Sequence, residues 1–196
     1  MRVLVIYCHP DETSFASALH KAVIKSLTAS GHAVTDLDLY GDGFKPVMSL
    51  EERREYSDDP LYFKSVEKYA NQLASVEALV AVYPTWWYGM PAMLKGYFDR
   101  VWAPGIAYDV KPDGGVDTRR LEHIQRIAVV TTYGSPWWLI RLYMGDPERK
   151  IWKRAVRTLC GRECKLDWYA HYNMDHTPPH RLAKFLSYVE RRMARW

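Results

Sequence analysis

Three short stretches carry residue types and spacings that could do chemistry. The first lies between Pro84 and Pro91 and holds Thr85, Trp86, Trp87, Tyr88 and Gly89. Three large aromatic side chains on one short loop are costly to leave in water. They could form a core cluster or a partner patch. The flanking prolines favour a wall for something flat. The second stretch is His9-Pro-Asp-Glu-Thr-Ser-Phe15. It has no glycine, so it is neither a dinucleotide fingerprint nor a Walker loop. It still leads into a helix N-terminus, where free N–H groups and the helix dipole attract an anion. His9, Thr13, Ser14 and Ser17 add further donors. A capped helix with a structural histidine is the equally weighted alternative. The third stretch is Thr131-Thr132-Tyr133-Gly134, either a plain turn or a row of N–H donors for an electron-rich ring edge.

Other chemistries have less support. His171, His176 and His180 suggest a metal at first, yet Pro178 and Pro179 break their spacing and no cysteine or acid completes a ligand set. No Ser-His-Asp order or nucleophile elbow is present, which argues against a hydrolase.

The elements that must position these stretches follow from periodicity. Apolar runs predict strands at Arg2 to Tyr7, Ala33 to Leu39, Ala78 to Tyr83, Gln125 to Thr132 and Cys164 to Tyr172. Helical spacing predicts helices at Ser14 to Ser30, Phe63 to Ala74, from Pro91 through Val101, Trp137 to Met144, Glu148 to Leu159 and Pro179 to Trp196. The polar stretch Tyr40 to Pro60 offers a short helix capped by Ser49. Ala103 to Leu121 reads as a long irregular loop, often a functional feature. Alternating strands and helices predict an α/β three-layer sandwich around a parallel sheet, and its five strands fit the flavodoxin-like order 2-1-3-4-5. The three chemical stretches follow strands one, three and four. Ligands of such sheets bind there, beyond the carboxyl ends.

A chain of 196 residues suits one domain, spanning residues 1 to 196. No apolar run reaches membrane-spanning length. The chain enters a strand almost at once and lacks a signal-peptide core. Cys8, Cys160 and Cys164 have no CxxC spacing, so reduced thiols and a cytoplasmic location are expected. The formal charge of +4 suits small anions. The basic C-terminal segment is the solvated face of an amphipathic helix, which argues against nucleic acid.

Two motifs carry a resemblance across essentially the whole chain. One is Tyr7-Cys-His-Pro-Asp-Glu-Thr-Ser-Phe15, followed by Ala18 and Leu19. The other runs from Tyr83 through Val101 and continues to Ala107-Tyr108. The sequence resembles the flavin-dependent NAD(P)H:quinone oxidoreductases of the flavodoxin-like fold. It is also similar to the ancillary oxidoreductase subunits of potassium efflux systems.

The resemblance implies a bound flavin, FAD (favoured) or FMN, with NAD(P)H as co-substrate and a quinone-like acceptor. It places His9, Ser14, Phe15 and Ser17 at the flavin phosphates. Pro84, Thr85, Trp86, Trp87 and Tyr88 would hold the ring, and Thr131, Thr132 and Gly134 its pyrimidine edge. It implies a homodimer with Tyr108 near the partner's flavin. The sequence departs from the pattern at Ala16 and Tyr133. It also lacks the His that family members carry beyond the third stretch, and Tyr143 is the substitute expected there. The expected activity is two-electron quinone reduction by a ping-pong mechanism. The alternative is a regulatory subunit peripherally docked on a membrane transporter. An electron carrier of flavodoxin type fits poorly, because such carriers need an acidic surface.

Overall fold

Strand β1 (Arg2–Tyr7) is buried in every residue but the first. Strand β3 (Ala78–Pro84) is buried throughout. Such runs suit inner strands covered on both faces. The computed structural model, which describes residues 1–56 and 59–196, places them side by side. The polar stretch expected from Tyr40 to Pro60 is described except for Ser57 and Asp58, which lie outside the described residues.

In chain order, β1 leads to α1 (Phe15–Ala29), β2 (Ala33–Asp38), α2 (Leu50–Glu55), α3 (Asp59–Ala74), β3 and α4 (Ala92–Val101). A hairpin of β4 (Tyr108–Val110) and β5 (Val116–Arg119) follows. Next come β6 (Arg126–Thr132), α5 (Pro147–Ile151), β7 (Lys165–His171) and α6 (Pro179–Met193). The sheet order is β2-β1-β3-β6-β7, with every pairing parallel. Counting only those five strands, this is the flavodoxin-like order 2-1-3-4-5.

Alternate strand residues feed two cores. Val3, Val5, Val80, Val82, Ala128 and Val130 pack on one face against Leu19 and Val23 of α1 and Val189 and Met193 of α6. Leu4, Ile6, Leu79, Ala81, Ile127 and Val129 pack on the other against residues of α3 and α4 and against Trp152. Each fully buried aliphatic side chain contributes roughly 1.5–3 kcal/mol, so the central strands are the fixed frame of the molecule.

Two expectations need correction. The stretch from Ala103 to Leu121 is not wholly irregular, because it contains the β4–β5 hairpin. Those strands are short and mostly exposed, so they carry no apolar alternation to read. Helix α3 begins at Asp59 rather than Phe63, with Pro60 in its first turn, where proline's fixed φ is tolerated. The segments Trp137 to Met144 and Glu148 to Leu159 are helical as expected. However, Leu139–Tyr143 and Trp152–Val156 are wound as wider π turns, which are frequent at functional sites.

The 40s stretch is tied to α4. Ser49 and Glu52 form a reciprocal capping box at the start of α2. Glu52 also pairs with the mostly buried Arg100, whose guanidinium donates to the Lys45 carbonyl. Gly96 lies against Pro46 so closely that any Cβ would overlap the Pro46 backbone. Helix α4 is therefore clamped from outside, and the loop that precedes it ends at a fixed point.

Candidate functional site

The loops after β1, β3, β6 and β7 meet at the carboxyl end of the sheet. The loop after β3 is a tight reversal. Trp86 N–H donates to Gly89 O at 3.1 Å, and Gly89 N–H donates to Trp86 O at 3.2 Å. Between them, Trp87 and Tyr88 adopt φ of 50° and 62°. Turns with two left-handed residues are usually built from Asn-Gly. For other L-residues the conformation costs roughly 1–2 kcal/mol each. Two bulky aromatic residues therefore occupy a strained turn, a feature that persists where the surroundings over-determine it. Trp87 is 96% exposed. The entry to the turn is fixed by Thr85, whose N–H donates to Thr132 O at 2.8 Å. The Thr85 and Thr131 hydroxyls bond to each other at 2.9 Å.

The loop after β1 is self-contained. Asp11 Oδ1 accepts from the N–H and the hydroxyl of Thr13, both at 2.7 Å. These bonds hold its carboxyl below the usual carboxylate range. Asp11 N–H donates to His9 Nδ1 at 3.0 Å. Ser14 caps α1 by accepting from Ser17 N–H. The Phe15 and Ala16 N–H groups are then without a partner among the described residues. Tyr7 lies beneath with a buried, unpartnered hydroxyl beside Ser14 and Ser17, and burial pushes its pKa up.

The loops after β6 and β7 are stitched together. Tyr133 N–H donates to His171 O, Asn173 N–H to Ser135 O and Met174 N–H to Tyr133 O, at 2.8–2.9 Å. Asn173 takes a left-handed φ of 61°. This fold-over sets Asp175 against Gly134. The Tyr133 ring stacks on that of Tyr172, with centroids 5.0 Å apart.

Two adjoining recesses result. One of about 550 Å³ is lined by His9, Ser14, Phe15, Trp86, Thr132 and Met174, among others. The second, about 500 Å³, includes Tyr88, Tyr133, Ser135, Asn173 and His176. Thr85, Trp87, Gly134 and Asp175 line both. Volumes of this order suit small-molecule and cofactor sites. None of the described lining residues is Lys or Arg, and Asp175 is their one carboxylate.

The residues expected from sequence fall into three groups. His9, Ser14, Phe15, Pro84, Thr85, Trp86, Trp87, Thr132 and Gly134 line the first recess, and Tyr88 lines the second. Ser17 and Thr131 are buried behind the surface. Tyr108 and Tyr143 line neither recess. Tyr108 is half-buried on β4, and Tyr143 is 82% exposed on the π turn. Sequence reasoning missed Asn173, Met174 and Asp175. Their signal was their place after the fifth strand.

It also missed a buried acid behind the aromatic turn. Glu148 is fully buried. Its Oε1 accepts from Tyr83 O–H at 2.6 Å and from Trp152 Nε1–H at 3.1 Å. Trp152 Nε1–H also reaches the Tyr83 hydroxyl oxygen at 2.6 Å. Burial raises the pKa of Glu148. Cys8, beneath the first loop, is buried and its thiol is pushed up to about 12.

Fold and site together define a flavodoxin-like domain with an open recess at the switch point of its sheet. The chain belongs to the flavodoxin-like fold family, whose profile matches residues 1–159. It is 38% identical over 108 residues to YcaK, an uncharacterized NAD(P)H oxidoreductase of Escherichia coli, and the match covers 55% of each chain. The chain thus spans little more than half the length of that relative. It is 28% identical to NAD(P)H dehydrogenase (quinone) 1 of Cavia porcellus over 91% of this chain and 70% of the relative. The crystal structure of Smu.1420 from Streptococcus mutans superposes over 100% of both chains with a TM-score of 0.85 at 27% identity. Among the described residues, no helix is long and apolar enough to cross a membrane.

Proposed function

We propose that the protein is an NAD(P)H-dependent flavin oxidoreductase that reduces quinones or similar flat electrophiles by two electrons. One observation carries this reading. The joined recess has a strained aromatic turn on one side and an uncapped pair of helix N–H groups on the other. Relatives named NAD(P)H oxidoreductase and NAD(P)H dehydrogenase (quinone) support the nicotinamide and acceptor chemistry.

The residues present fit a flavin. The wall is aromatic, the Phe15 and Ala16 N–H groups suit a phosphate, and the buried Tyr7 and Tyr133 hydroxyls lack partners near the recess. When bound, a flavin would take hydride from the nicotinamide and pass it to the acceptor. Trp86, Trp87 and Tyr88 would set the plane in which flat partners lie. Ser14, His9 Nε2 and the first N–H groups of α1 would hold the phosphate end, with Phe15 closing that side. Ser17 and Thr131 would act from behind. Thr132 and the backbone at Gly134 would face the polar ring edge, where fixed donors stabilise developing negative charge. A single open wall serves both substrates in turn, which gives a ping-pong order. FAD remains favoured over FMN, with the adenylate leaving past His9.

A homodimer completes the reading. Trp137, Trp138, Leu142 and Tyr143 form an exposed apolar rim that a second copy would cover. Tyr108 and Tyr143 are the proposed proton-relay residues. Both lie outside the recess of a single chain, so their part in the reaction requires that second copy. A cytoplasmic location fits this chemistry.

The test is direct. Purified protein should release a flavin on denaturation and consume NADH or NADPH when a quinone is present. Protein that stays colourless after incubation with both FMN and FAD would sink the proposal.

A further inference from the structure

The aromatic turn needs an explanation for its stability. Its two left-handed residues cost roughly 1–2 kcal/mol each, and Trp87 makes up none of that by burial. The entry is pinned at Thr85 by the β6 backbone. The exit runs through Gly89 and Met90 to Pro91, which caps α4 without a side-chain hydrogen bond. One polar side chain stands behind that exit. Glu148 Oε2 is buried without a hydrogen-bond partner, and a Cβ at Gly89 would lie 3.6 Å from it. The Met90 N–H is close enough to favour the carboxylate's charge. The other oxygen is tied to Tyr83, the residue just before Pro84. A single carboxyl group therefore touches the strand that enters the loop and faces the backbone that leaves it.

We propose that Glu148 is a positioning residue, which holds the Trp87–Tyr88 turn in its left-handed form by bracing the loop's two ends from inside. It reaches no recess itself, since neither lining includes it. It acts through the turn. As a claim about flavin binding this rests on the proposed function. As a claim about the turn it stands alone.

Burial of an acid with few partners is expensive, and the neutral form is the one such a site favours. A neutral carboxyl has one acceptor oxygen and one O–H donor. A glutamine amide has the same shape with one acceptor and an N–H donor. Glutamine should therefore keep the strand side of the brace, its Oε1 accepting from Tyr83 and Trp152 as the Glu148 oxygen does, whereas an apolar side chain should not. Leaving Tyr83 O–H and Trp152 N–H without their acceptor would release the strand side of the brace.

The experiment compares wild type with Glu148→Gln, Glu148→Leu and Glu148→Met. The readout is amide hydrogen exchange at Trp86 and Gly89, with β1 amides as internal reference. The proposal expects exchange in the turn to quicken roughly tenfold in the leucine and methionine variants and to stay near wild type in the glutamine variant. The β1 amides should hold their protection. Adding Tyr88→Gly to the leucine variant should restore protection, because glycine adopts the left-handed form without strain. Methionine, closest in shape to glutamine, guards against a leucine variant that fails to fold. Turn exchange that matches wild type in every variant overturns the proposal. So does a loss of protection shared equally by β1. FMN affinity, read by flavin fluorescence, should fall in parallel with the loss of protection. A wild type that binds no flavin defeats the proposed function, while the exchange data still decide the role of Glu148.

Discussion

Asp175 occupies the space that a side chain at residue 134 would need. A Cβ placed on Gly134 would lie 2.7 Å from Asp175 Oδ2. The two residues come from different loops, after β6 and β7, and the backbone bonds that stitch those loops create the contact. The obstruction is the end of a flexible side chain, which can turn away. At Gly96 the obstruction is the backbone of Pro46, which cannot.

The contrast is testable by urea unfolding. Gly96→Ala should cost about 1–3 kcal/mol, the usual range for overpacking a tight contact. Gly134→Ala should change stability by about 0.5 kcal/mol or less while displacing the Asp175 carboxylate. Equal losses at the two sites would contradict this account.

The aromatic turn trades stability for its wall. Replacing Trp87 and Tyr88 together with Asn-Gly, the pair suited to this turn, should stabilise the fold by about 1–2 kcal/mol. If the protein binds flavin as proposed, the same change should weaken that binding. Thermal unfolding and flavin fluorescence measure the two effects separately. A variant that loses stability would mean that the φ angles carry no strain.

The buried acid gives stability a pH dependence of known sign. The pKa of Glu148 is raised from 4.5, chiefly by burial. Between that value and the raised native one, the native state binds more protons than the unfolded chain. The stability this provides is fully present below 4.5 and is lost as pH rises toward the higher native value. The groups facing the carboxyl are Tyr83 from β3, Trp152 from the π turn, Tyr133 from the loop after β6 and the Met90 N–H. Glu148→Gln should flatten the fall. Chemical denaturation at a series of pH values would read the two slopes.

The thiol of Cys8 should be inert in the native state. It is buried, with its pKa pushed up to about 12, so almost no thiolate exists near neutrality. Iodoacetamide at about pH 8 should leave Cys8 unmodified until denaturant is added. Intact and peptide masses would show this. Rapid labelling of the folded chain would mean that the first loop opens.

Much of this was legible in the sequence because burial writes itself into composition. The runs in β1, β3 and β6 have no charge between their ends, and their order in the chain predicts the sheet. The aromatic stretch announced itself by its prolines. The β4–β5 hairpin did not, because exposed short strands need no apolar alternation. Asp175 was invisible because its role depends on a left-handed Asn173, which asparagine permits without announcing, and on three backbone bonds that no residue type encodes. Glu148 was hidden for a different reason. An acid within a helix carrying Arg149, Lys150 and Lys153 reads as a solvated face, and only packing reveals that it points inward.

The sheet gives the site unequal sides. Strands β1 and β3 have neighbours on both edges, but β7 pairs only with β6. An edge strand has fewer bonds to break and frays at a smaller free-energy cost than an inner one. The loop that carries Asn173, Met174 and Asp175 rides on that edge, whereas the His9 loop and the aromatic turn ride on the inner strands. The recess thus has three fixed margins and one compliant margin. A guest larger than the resting space would find least resistance at β7, the side farthest from the aromatic turn.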